Sequence, residues 1–323
     1  MSLLSAMMGG ASASAPTPAY PYTFPASAPY NVPYYAVTPT DDGTGSSMHP
    51  SGLDFGKKGW GGHRYWLATT AFFDSEEPRE NPHIYHSDDG LAWSWPKGVT
   101  NPLDPWPGAG TTERWYNSDT NLVHNPETNE LVLTWRECRH ADTLQTIWAR
   151  TSKDGHTWTP KVKVMDVLDD TKWQSASQSL VRVGASEWRM YFEASSDIAY
   201  RRYFTASSPL GPYSNPQQVT YTGQGGVWPY HGEVIRHPDG RYLSLFQRAG
   251  REYPAISADG INFTTKPPIL QGVTLARASQ AMYKSSLALD AEDPSMMHVW
   301  YTGNGTWNNR VYYTRAPLTA WTA

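Results

Sequence analysis

Cysteine is nearly absent from this 323-residue chain: the one thiol, Cys138, has no second cysteine to pair with, which excludes an internal disulfide framework. Cations are missing from the first 47 positions, the earliest being Lys57. That removes the charged n-region of a secretory signal peptide, so conventional secretion is not expected. No apolar run approaches the roughly 20 residues of a spanning helix, and no Lys/Arg cluster accompanies the net charge of −4. Membrane insertion and nucleic-acid binding are therefore not expected.

Aromatic side chains, by contrast, exceed what core filling requires, with 15 Trp and 20 Tyr. They fall in a repeat. Aromatic-rich segments with period-two alternation recur at Arg64–Phe72, Glu130–Cys138, Glu187–Ser195, Arg241–Ala249 and Met297–Gly305, an interval of roughly 55–65 residues that suits propeller blades. A turn phrase follows each: Ser87–Trp93, Ser152–Trp158, Ser207–Tyr213, Ser257–Phe263 and Thr314–Trp321. Five copies imply an all-β, five-bladed β-propeller, each aromatic segment being strand two of its blade. The Asp-Gly pairs at 89–90, 154–155 and 259–260 predict type I′ hairpins between strands three and four, with positive φ at both central residues. Cys138 is expected to be a small buried hydrophobe in strand two of the second blade.

The propeller is expected over residues 48–323, with residues 1–47 an extended Pro/Ala/Tyr-rich arm. Proline recurs through that arm among Ala, Ser and Tyr, which favours polyproline II and prevents independent folding. Tyr20, Tyr22, Phe24, Tyr30, Tyr34 and Tyr35 make it a docking strap rather than a solvated linker.

An innermost strand precedes each aromatic strand, and these start at His49, Asp119, Ser177, His231 and Ser279 in the sequence alignment of the five units. Their first residues should ring the central axis at the mouth where propellers bind ligands, with Ser51, Asn121, Ser179, Glu233 and Ala281 one pleat deeper. Asp119, Glu233, His49 and His231 are thus the candidate catalytic residues: carboxylates for acid and base work, imidazoles as proton carriers near neutrality. Glu80, Glu137 and Glu193 are further carboxyls close to the mouth. Two His with one or two carboxylates suit a transition ion, but no H-x-x-x-H or H-x-H spacing supports one, and the expectation is no metal and no cofactor.

Aromatics on segments leading into the inner strands, Trp115, Tyr116, Trp173, Trp228, Tyr230 and Trp307, are expected to stack on sugar faces. Asp119, Asn121, Gln178, Arg277 and Glu233 would supply hydroxyl partners. The glycines of Gly223–Tyr230 permit close backbone approach to a ligand.

The inner-strand phrases HPS (His49–Ser51), SDTNLVHNP (Ser118–Pro126) and YHGEV (Tyr230–Val234), with the S-x-D-G-x-x-W turns, resemble glycoside hydrolase family 43-type propellers, of the kind found in bacteriophage minor tail and tail-tip proteins. The resemblance implies an inverting glycosidase with an Asp base on blade one, an Asp on blade two that positions substrate, and a Glu acid on blade three. Only Asp119 matches its position; His49 replaces the first Asp, and blade three offers Ser177 and Ser179. The expected function is therefore a virion tail protein, assembled in the host cytoplasm, whose propeller recognises a host surface polysaccharide while residues 1–47 contact other tail proteins. The alternatives are an active inverting glycosidase on a cell-wall or capsular polysaccharide and a purely structural virion component. Homo-oligomerisation is left open.

Overall fold

The computed structural model describes residues 34–35, 38–72, 79–105, 115–139, 145–167, 177–192, 201–224, 229–271, 281–304 and 309–322. Its strands fall into five sheets arranged as the blades of a propeller. After β1 (Tyr34–Tyr35), blade one comprises β2 (Ser47–Asp54), β3 (Tyr65–Ala71) and β4 (Asn81–Ser87). Blade two is β5 (Trp115–Asn125), β6 (Glu130–Arg139), β7 (Gln145–Ser152) and β8 (Val162–Val167). Blade three is β9 (Gln178–Gly184), β10 (Glu187–Phe192), β11 (Arg202–Ala206) and β12 (Ser214–Gln218). The connecting strand β13 (Thr220–Gly223) joins blade four, which holds β14 (Tyr230–Arg236), β15 (Tyr242–Arg248), β16 (Arg251–Ser257), β17 (Asn262–Thr265) and β18 (Leu270–Gln271). Blade five is β19 (Ala281–Leu289), β20 (Met296–Asn304) and β21 (Asn309–Pro317).

Strand two of every blade is aromatic because both of its faces are buried. In β10, Trp188, Met190 and Phe192 pack toward blade two, whereas Tyr191 packs toward blade four. The same division yields five apolar wedges, one between each pair of neighbouring blades. Each fully buried side chain of this kind contributes about 1.5–3 kcal/mol, so the wedges hold the ring together without disulfides. Cys138 is buried in β6 and free, as expected, and burial pushes its thiol up to about 11.

The Ser-x-Asp-Gly turns differ from the expected type I′ geometry. Only the glycines have positive φ (Gly90 76°, Gly155 78°, Gly260 73°); Asp89, Asp154 and Asp259 do not. The reason is side-chain closure: Asp89 Oδ1 accepts from the Leu91 and Ala92 amides at 2.8 Å, and Ser87 Oγ accepts from Gly90 N at 2.9 Å. The other two turns repeat these bonds. A carboxylate that satisfies two amides replaces the second left-handed residue.

The arm boundary at residue 47 is also corrected. Tyr34 and Tyr35 pair antiparallel with Tyr313 and Tyr312 of β21 and supply the fourth strand of blade five. Thr38, Thr40, Ser46 and Ser47, on the segment leading from that strand into blade one, are buried. The propeller thus closes with a strand from before its first blade, because the last blade brings only three of its own.

Candidate functional site

Four inner strands begin with the same distortion. His49, Asp119, Ser177 and His231 all have left-handed backbones, φ 52°, 55°, 58° and 53°. Pairing with strand two shifts register between Met48 and Ser51, between Ser118 and Asn121, and between Tyr230 and Gly232. A bulge of this kind re-aims a side chain, and a non-glycine residue held at positive φ stores strain that the surrounding structure must sustain. Here it turns one residue per blade toward the axis.

These residues meet. Asp119 Oδ1 lies 3.6 Å from His49 Nε2 and 3.3 Å from His231 Nδ1. Ser177 Oγ donates to Asp119 Oδ1 at 3.1 Å and lies 2.7 Å from His231 Nδ1. Arg136 on β6 engages the other oxygen, Oδ2, at 2.6 Å. On the far side of His49, Ser118 Oγ and the Asp119 amide both lie 3.3 Å from Nδ1. His49 Nε2 is buried with no hydrogen-bond partner among the described residues. One carboxylate therefore faces two imidazoles with a guanidinium behind it, all at most 5% exposed.

Burial alone would raise the Asp119 pKa, yet His49, Arg136 and His231 hold its carboxyl well below the usual range. Burial also pushes His49 well below, and His231 below, the ordinary imidazole value, against the pull of Asp119. The centre at neutral pH is an ionised carboxylate with two neutral imidazoles.

One pleat deeper, Glu233 Oε1 accepts from Ser51 Oγ at 2.6 Å and Asn121 Nδ2 at 2.8 Å, and Oε2 accepts from Leu287 N at 3.0 Å. Glu233 thereby ties blades one, two and five to blade four at the axis. Gln178 is buried and donates to the Asp119 carbonyl at 2.5 Å. Tyr116 is buried beside Arg136 and Cys138, whereas Tyr230 is partly exposed with its ring 4.3 Å from that of His231. Trp115 lies on β5, but its side chain, together with Trp173, Glu193, Trp228, Arg277, Ser279 and Trp307, lies outside the described residues.

Blade five corrects the alignment. Its register shift falls between Met282 and Ser285, so Tyr283 occupies the ring position assigned to Ser279, and Ser285 the deeper position assigned to Ala281. The Tyr283 ring sits 4.4 Å from that of His231 and 5.3 Å from that of His49. Lys284 is buried and donates to the Thr120 carbonyl at 3.1 Å, crossing from blade five to blade two. The signal was present: Tyr-Lys-Ser-Ser-Leu at 283–287 matches His-Pro-Ser-Gly-Leu at 49–53. Arg136 carried no such signal, since it reaches the site from strand two. Glu80 is buried, its carbonyl accepting from Asn117 N at 2.9 Å and its charge felt by Tyr116, Arg136 and Tyr283.

The donor atoms of His49, Asp119 and His231 all lie within 4.8 Å of one another, as do those of Asp54, Asp290 and His298. In the second group Arg64 pairs with Asp54 and Arg315 with Asp290, which makes it an ion-pair clasp between blades one and five. In the first group His49 Nε2 has no hydrogen-bond partner among the described residues, while His231 Nδ1 and Asp119 Oδ1 both contact Ser177 Oγ.

No protein-family model matches the chain. Its fold is that of five-bladed propellers among carbohydrate-active enzymes of the family 43 type: it matches RS223-β-xylosidase with a TM-score of 0.56 at 10% identity, covering 88% of this chain and 94% of that one. A family 43 endo-arabinanase from Bacillus licheniformis matches with a TM-score of 0.53 at 10% identity, covering 89% and 99%. An N-acetylgalactosamine deacetylase from Flavonifractor plautii, solved with blood group B trisaccharide, matches with a TM-score of 0.75 at 18% identity over 90% of this chain and 97% of that one. In sequence, an A type blood N-acetyl-α-D-galactosamine deacetylase from Flavonifractor plautii is 36% identical over 76 residues, which is 24% of this chain and 10% of that protein.

Proposed function

We propose that this chain is a glycan-acting hydrolase that removes the acyl group from an N-acylated amino sugar, with Asp119, His49 and His231 as its reacting centre. One observation carries the reading: a single buried, ionised carboxylate faces two neutral imidazoles on three different blades. An inverting glycosidase needs two carboxyls about 6.5–9.5 Å apart across a water. Glu233 is a poor second carboxyl, because Ser51, Asn121 and Leu287 N already engage its oxygens. The likeness to a deacetylase in fold and in a 76-residue stretch supports acyl transfer over glycosidic cleavage. Glycan recognition is retained within this reading as its binding step.

Two imidazoles and a carboxylate are also the donor set of a zinc-type ion. The residues fit one: three converging donors and an orphaned, buried His49 Nε2. An ion there would be held by His49, Asp119 and His231 and would supply a Lewis acid for the acyl carbonyl and a water of lowered pKa. Arg136 keeps Asp119 ionised and, by occupying Oδ2, leaves Oδ1 toward the imidazoles. Ser177 fixes the orientation of His231.

The test is to incubate the protein with N-acetyl-D-galactosamine-terminated oligosaccharides and quantify free acetate and new reducing ends. Acetate release is expected, lowered ~10²-fold or more by Asp119→Asn and abolished by dialysis against a chelator. Reducing ends without acetate would instead establish the glycosidase.

A further inference from the structure

Among the five ring positions, four are filled by residues that solvent barely reaches: His49 and His231 are 2% exposed, and Asp119 and Ser177 are 0% exposed. The fifth, Tyr283, is partly exposed. Its ring leans over both imidazoles, 4.4 Å from His231 and 5.3 Å from His49, at 46° and 40° to their planes. Tyr230 stands almost perpendicular to it, with centroids 6.4 Å apart at 73°, and its hydroxyl is hydrogen-bonded to the Tyr283 side chain. The two tyrosines, both partly exposed, form a corner against the reacting centre.

We propose that Tyr283 is the platform that selects the sugar: an N-acylated pyranose lays its apolar C–H face on Tyr283, Tyr230 closes one side, and the acylamino substituent points past the tyrosine edge to Asp119, His49 and His231. Chemistry and placement argue for it together. An aromatic ring has the flat apolar face that a pyranose needs, and the hydrogen bond between the Tyr283 and Tyr230 side chains holds that ring in place. A purely packing residue at the bulge of blade five would be buried as its four counterparts are. The inference rests on the hydrolase reading for the direction of the acyl group, while the stacking itself stands apart from it.

The experiment measures binding and turnover separately. Calorimetry with N-acetyl-D-galactosamine, N-acetyl-D-glucosamine and D-galactose is run on the wild type, Tyr283→Phe and Tyr283→Leu, with thermal unfolding as the check that each variant folds. Acetate release from the oligosaccharides gives KM and kcat. Tyr283→Phe keeps the ring and should stay within about threefold of the wild type; Tyr283→Leu should raise Kd and KM by about 3- to 10-fold, the worth of one aromatic contact. D-galactose, lacking the acylamino group, should bind more weakly than N-acetyl-D-galactosamine. Equal Kd for wild type and Tyr283→Leu, or no saturable binding of any of the three sugars by the wild type, overturns the proposal. A fall in kcat with Kd and KM unchanged overturns it too, since Tyr283 would then only support the imidazoles. Binding that depends on Tyr283 without acetate release would leave the platform standing and remove the hydrolase reading. Acetate release insensitive to Tyr283→Leu would do the reverse.

Discussion

At the scale of single residues, the centre depends on a charge balance that no one element provides. Asp119 is fully buried, and a carboxylate there is tolerable only because Arg136 meets it at 2.6 Å. Removing one member of a buried pair leaves the other uncompensated, at a cost of about 3–5 kcal/mol. Arg136→Gln should therefore destabilise the protein by that amount in urea unfolding. Replacing both with leucine should recover most of the loss, since a buried pair is often matched by apolar side chains of similar volume. If Arg136→Gln unfolds at the wild-type midpoint, Asp119 draws its stability from the imidazoles and Ser177 instead. Asp119 was legible in the sequence because it opens an inner strand; Arg136 was hidden because strand-two positions vary in which wedge they face, and only the closed ring brings β6 behind the axis.

Elements explain why four ring positions were readable and the fifth was not. His49, Asp119, Ser177 and His231 share a left-handed backbone whose apolar sequel is visible in the chain, as in Asn121-Leu122-Val123 and Ser179-Leu180-Val181. In the last blade the Ser-Gln pair at 279–280 copies Ser177-Gln178 and draws the alignment four residues early. What fixes the register physically is the position of Met282 and Leu287, both buried in the wedge between blades four and five. That wedge carries a liability of its own. Glu252 is 0% exposed, and no cation pairs with it among the described residues; the Ser285 hydroxyl is the group that favours its charged form. Burial pushes its carboxyl well above the ordinary value of 4.5, so the native state holds the proton after the unfolded chain has released it. Stability is thus present at low pH and is lost as pH rises above about 4.5. Glu252→Gln keeps the shape without the titration: it should match the wild type near pH 4 and exceed its Tm by several degrees at pH 8 in calorimetric scans. A constant difference across that range would show that Glu252 is not titrating in the fold.

For the whole molecule, the decisive event is closing a ring whose ends are far apart in sequence. The repeat predicted five blades but placed the propeller's start after residue 47, because a two-residue outer strand inside a Pro- and Tyr-rich stretch has no periodicity to read. Besides the apolar wedge between blades five and one, β1 on the outer edge of β21 and the clasp of Asp54, His298 and Arg64 close the ring. Asp54 accepts from Arg64 at 2.9 and 3.1 Å and from the Ala291 amide at 3.0 Å, with His298 Nε2 3.0 Å away. Burial opposes its ionisation, but His298 and Arg64 hold its pKa far below the usual 3.8. A depressed carboxyl stabilises the fold above its unfolded pKa and loses that contribution as pH falls through the range between the two values. Asp54→Asn removes the contribution at its source. The variant should be less stable than the wild type at pH 7 by on the order of 2 kcal/mol, and the two should converge as pH drops below about 3.8. Because the clasp joins the first and last blades, the loss should appear as one cooperative transition shifted to lower urea rather than as early melting of blade one. A second, earlier transition, or a difference that persists into acid, would place ring closure in the apolar wedge and the β1–β21 pairing instead.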